Sequence, residues 1–130
     1  MSRSFNTQFM IAGIMFLATA AIHALAGGPE INAPVQASTL DPVVRSVMAV
    51  VWHAITAVAL VLAAAMIWTA RHRNPAVILL TLAINVSFIA LFWAIGIAEL
   101  GSLLLMPQWI IFATISLVML WGLKRETARG

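Results

Sequence analysis

Two histidines, His23 and His53, are the residues of this chain whose type and setting most invite chemistry. Each sits in a long apolar stretch, where a polar ring is costly and normally has a partner or a function. A neutral imidazole offers one hydrogen-bond donor and one acceptor, and it also ligates zinc, copper or iron. Three arrangements follow. The rings can join a polar cluster, with Thr19 one helical turn from His23 and Thr56 one turn from His53. They can share a metal ion, which needs further ligands because two imidazoles leave a tetrahedral site incomplete; Glu30, Glu99 and Gln108 are the candidates. They can also hold haem b between them as a bis-histidine pair.

Other chemistries are excluded. There is no cysteine, so thiolate metal sites and dithiol redox chemistry are absent. No phosphate-binding loop, H-E-x-x-H pair or nucleophile elbow occurs, and no helix carries a His/Glu pair at the spacing of a di-iron bundle. The sequence therefore assigns no enzymatic reaction; it leaves enzyme activity open and favours a non-catalytic role.

The elements that must position these residues are apolar helices. The chain has 130 residues, of which 63% are hydrophobic and only 8% charged, too little polar surface for a soluble domain. Four apolar runs, at about 8–26, 43–70, 75–101 and 107–123, have no period-two alternation and predict helices in one integral membrane domain. Gly27-Gly28-Pro29 reads as the stop of the first, and Asp41-Pro42 as the cap and first turn of the second. The first run resembles a signal peptide, but it is long for one and lacks a polar end, so a retained helix is expected. Small residues, dense in the first two helices, predict close helix approach in lipid.

With four crossings, Arg3, Arg71, Arg73, Lys124, Arg125 and Arg129 fall on one side and Arg45 alone on the other. The positive-inside rule then gives an all-α, antiparallel four-helix transmembrane bundle, N-in and C-in. The net charge of +3 belongs to this topology and does not imply a nucleic-acid partner. Counting about 1.5 Å of rise per residue from the inner ends sorts the polar groups by depth. His23 and His53 lie level, roughly 25 Å up; Arg45 and Glu99 lie roughly 36–38 Å up, as an expected outer-leaflet ion pair. Asn85 and Thr114 lie near the midplane, roughly 15 Å up, as an expected interhelical hydrogen bond.

His23 followed by Ala26-Gly27-Gly28-Pro29-Glu30-Ile31, then Val51-Trp52-His53 with Thr56, resembles small bacterial four-helix membrane proteins of unassigned function. The resemblance covers mainly the first half of the chain. It implies the bacterial inner membrane and carries no activity. The expected role is an accessory or assembly subunit of a larger membrane complex, with lipid and other membrane subunits, or further copies of itself, as partners. The alternatives are metal or haem binding through His23 and His53, or a small oligomeric transporter.

Overall fold

A computed structural model describes residues 5–127, apart from the side chains of 126 and 127; Arg3 and Arg129, used above for topology, lie outside the described residues. The described chain is helical, with no strand. The described residues form four helices: α1 (Thr7–Gln36), α2 (Pro42–Thr69), α3 (Pro75–Leu100) and α4 (Trp109–Thr127). The first three are long and apolar enough to cross a membrane. α4 is the shortest and carries Lys124 and Arg125 in its last turn.

The helix starts are written in local chemistry. Asn6 caps α1 by accepting from the amides of Gln8 and Phe9, and Asn74 caps α3 by accepting from Ala76 and Val77. Asp41 accepts from the Val43 amide ahead of Pro42, the first residue of α2. Gly101 ends α3 in the left-handed region, with φ of 61°, a conformation that costs glycine nothing. α4 begins at Trp109, two residues past Pro107; the Trp109 indole donates to the Leu103 carbonyl at 2.9 Å and ties the corner to it.

One expectation fails here. Gly27-Gly28-Pro29 does not stop α1. From His23 to Asn32 the helix widens into π-helical register, with Pro29 inside it, and then returns to α geometry for Ala33–Gln36. Proline has no amide to donate and crowds the carbonyl four residues back in an α-helix. The i→i+5 register, seen where the Ala33 amide donates to the Gly28 carbonyl, carries the chain past that obstacle. Tertiary packing holds it there. A Cβ on Gly27 would lie 3.2 Å from the Trp52 ring, so the bare glycine lets α2 seat its indole against α1.

α1 packs on α2 and α4, and α3 packs mainly on α4. The core gathers at one end, where Phe9 and Phe16 of α1 meet Met66 of α2, Ile78 of α3 and Ile115 and Met119 of α4. At this end the Asn6 amide donates to the Ala70 carbonyl and its side chain to the Gly122 carbonyl, joining the start of α1 to the ends of α2 and α4. A Cβ on Gly13 would lie 2.6 Å from an Ile67 side-chain carbon and 3.0 Å from the Ala63 carbonyl, so α1 and α2 approach there almost backbone to backbone. Toward the other end the packing opens into a cavity. Many large apolar side chains, Leu25, Val50, Val61 and Leu117 among them, face outward, as lipid-facing positions do.

Candidate functional site

The site is built where the π-helical segment of α1 begins. His23, its first residue, reaches across to α2 and meets Thr56, with Nδ1 and Oγ1 2.9 Å apart. The imidazole stacks on the Trp52 indole, centroids 4.0 Å apart and planes 21° from parallel. Trp52 and Thr56 are four residues apart and share one face of α2, so they grip the ring from two directions.

The bond to Thr56 also sets the tautomer. The hydroxyls of Thr19, Thr69, Thr81 and Thr114 each donate to the carbonyl four residues back. The Thr56 hydroxyl has His23 as its one hydrogen-bond partner among the described residues. Donating to Nδ1 satisfies that hydroxyl; accepting from Nδ1 would leave its proton without a partner among the described residues. Assigned from this network, Nδ1 is the acceptor and Nε2 carries the ring proton.

His23 lines a partly open cavity of about 360 Å³ between the four helices. Its wall is almost wholly apolar and rich in rings: Phe16, Trp52, Phe88, Phe92 and Phe112. Phe88 and Phe112 stack with centroids 4.8 Å apart, and Phe92 extends the group at 6.1 Å from Phe112. The polar wall residues are Thr19, His23, Glu30 and Gln108. Thr19 is committed to the Met15 carbonyl at 2.8 Å, and Glu30 is exposed. The Gln108 Oε1 is buried and has no hydrogen-bond partner.

The expected pairings are redistributed. His53 does not face His23 across the cavity. It is exposed and lines a separate groove with Asn32 and Thr56, on the far side of Thr56 from the cavity. Successive residues of a helix diverge by about 100°, so once Trp52 is turned toward α1 its neighbour is carried off that face. Of the proposed third ligands, Glu30 and Gln108 share the cavity with His23, whereas Glu99 is exposed on the last turn of α3 and lies off the wall. Among the described residues no three His, Cys, Asp or Glu side chains gather as a metal-binding group.

Arg45 pairs with the end of α1 and not with Glu99. Its guanidinium donates to the Gln36 carbonyl at 2.8 Å, and the Gln36 amide returns a bond to the Arg45 carbonyl at 3.1 Å. The extension of α1 to Gln36 brings a helix C-terminus, with its free carbonyls, beside this cation. Asn85, fully buried, donates to the Ser116 hydroxyl at 3.2 Å and not to Thr114, which is exposed and bonded to the Ile110 carbonyl. Thr114 and Ser116 are two residues apart, roughly 200° around α4, so a depth count alone does not choose between them.

Sequence reasoning passed over the aromatic wall and the Trp52 stack. The four-residue spacing of Phe88 and Phe92, and of Trp52 and Thr56, was the available signal, since such pairs share a helix face. No family model matches the chain, and neither curated proteins nor solved structures give a match.

Proposed function

We propose that this chain is an accessory protein of the bacterial inner membrane that holds a small apolar molecule in the cavity beneath His23 without transforming it. One observation carries the reading: an aromatic-walled space of about 360 Å³ lies beside an imidazole whose orientation Thr56 and Trp52 fix. Ligand pockets are commonly apolar with a few well-placed polar groups, and this volume lies at the lower end of their range. The residues that shape it are intramembrane, so its ligand enters from the lipid.

In this reading the four helices are antiparallel, with both termini inside. The contacts of Asn6 with Ala70 and Gly122 support it, because they gather one end of α1, α2 and α4 beside Arg71, Arg73, Lys124 and Arg125. α4 makes the fourth crossing and leaves its basic turn at the inner surface. The exposed apolar faces meet lipid or the helices of a partner subunit.

The test is photolabelling in bilayers with a diazirine-bearing alkane, mapped by mass spectrometry. Saturable labelling of Phe112 and Ala59, which are 7% exposed and line the cavity, is expected, and Ala59→Leu should suppress it. Label confined to outward residues such as Val61 and Leu117, unchanged by Ala59→Leu, would overturn the reading.

A further inference from the structure

We infer that the molecule held in this cavity is a prenylated quinone, with its ring among the phenylalanines and its oxygens on His23 and Gln108; this rests on the cavity being a ligand site, as proposed above. Three features separate such a ring from a plain acyl chain. The first is the shape of the wall. Phe88, Phe92 and Phe112 form a set of near-parallel rings, their planes within 24° of one another in each contacting pair. Aromatic faces of this kind favour offset stacking with a flat ring, whereas an acyl chain gains only contact area from them.

The second feature is the donor on His23. Thr56 holds Nδ1 and does not line the cavity, whereas His23 does. The ring therefore spans from the Thr56 side to the cavity side, and its opposite edge, with the Nε2 proton, is the part left to a ligand. A quinone carbonyl accepts from that proton. A hydrocarbon chain offers nothing to it.

The third feature is the carboxamide of Gln108, also in the wall, whose Oε1 is buried without a partner. A half-turn about the last side-chain torsion exchanges oxygen and nitrogen, so this group answers a carbonyl with a donor or a hydroxyl with an acceptor. It suits the second oxygen of the ring in both the quinone and the quinol form. An unmet acceptor beside an apolar cavity is costly, and a quinol hydroxyl donating to Oε1 removes that cost, whereas a quinone carbonyl accepts from the amide nitrogen of the same group. The cavity volume suits a substituted six-membered ring with its first prenyl unit, and the rest of the tail leaves through the open side into lipid.

The experiment uses the full chain in detergent and a benzoquinone bearing one prenyl unit, read by quenching of tryptophan fluorescence, with palmitate and a diazirine-bearing alkane as comparison probes. Of the five tryptophans Trp52 is the one in the wall, so the saturable part of the quenching is the part that reports on the cavity. Saturable quenching is expected, weakened about three- to ten-fold by His23→Phe and by Gln108→Leu, each removing one hydrogen bond to the ligand. His23→Gln, which keeps a donor, should recover part of the loss. Should His23→Phe fail to fold, Gln108→Leu decides alone. Quinone binding that is insensitive to these substitutions, or is displaced equally well by palmitate, overturns the quinone assignment and leaves the apolar-ligand reading in place. Absence of saturable binding for both quinone and alkane overturns both.

Discussion

The Thr56 hydroxyl and the His23 imidazole meet at 2.9 Å across α1 and α2, at the residue where α1 passes from α to π register. This contact fixes the tautomer of the histidine and joins α1 to α2 between the Asn6–Ala70 and Gln36–Arg45 contacts at their two ends. Thr56→Val keeps the shape of the side chain and removes the bond. Interhelical hydrogen bonds of this type average about 0.6 kcal/mol in membrane proteins and reach about 1.7 kcal/mol. A double-mutant cycle of Thr56→Val with His23→Phe, followed by denaturation in detergent, should give a coupling in that range. Additive costs would remove the bond from the account.

The glycines of α1 should differ sharply in their tolerance. Gly13 abuts the α2 backbone, so Gly13→Ala must push the helices apart, at a cost of about 1–3 kcal/mol. Gly27→Ala meets only the edge of Trp52, and should cost less while altering the indole's emission. Gly28→Ala meets nothing within 4 Å and should be neutral or mildly stabilising. Thermal stability of the three purified variants checks the order.

Asn85 discriminates between Ser116 and Thr114. Ser116→Ala strips a fully buried carboxamide of its partner and should destabilise by about 1 kcal/mol. Thr114→Val alters an exposed residue whose hydroxyl is bonded to its own helix, and should change stability by less than about 0.5 kcal/mol. Equal effects would argue against the Asn85–Ser116 contact.

Arg45 and Glu99 should behave independently. Arg45→Ala loses a charge-assisted bond to the Gln36 carbonyl, at a cost of about 1.5 kcal/mol, and frees the end of α1. Glu99→Gln should have little effect. The double variant should show the sum of the two to within about 0.5 kcal/mol. Faster hydrogen exchange at 33–36 in Arg45→Ala would place the loss at the latch.

Topology is tested with reporter fusions at Ser38 and at the C-terminus. The proposed orientation puts them on opposite sides of the membrane, the C-terminal reporter inside. Both on one side would contradict it.

How much of this was legible without coordinates depends on the kind of information required. Helix starts are local, and Asp41-Pro42 and Asn74-Pro75 announce them through side chains that cap the backbone within three residues. Apolar length is local as well, and so is the rough depth of each polar group, because rise per residue is constant. Rotation about each helix axis is not local. These helices are apolar nearly all round, so no polar face marks which side turns inward. For that reason the depth count grouped His23 with His53 and Asn85 with Thr114, whereas packing chose Thr56 and Ser116. The same holds for Gly27-Gly28-Pro29. Its local preference is to end a helix, and it yields because Trp52 fits against the bare Gly27 backbone and the wider register accommodates Pro29. Composition and local propensity determined that this chain is a set of apolar helices with a few polar groups at set positions along them. Only the tertiary structure decided which of those groups meet, since in a uniformly apolar helix the azimuth is set by the shape of the neighbouring helix.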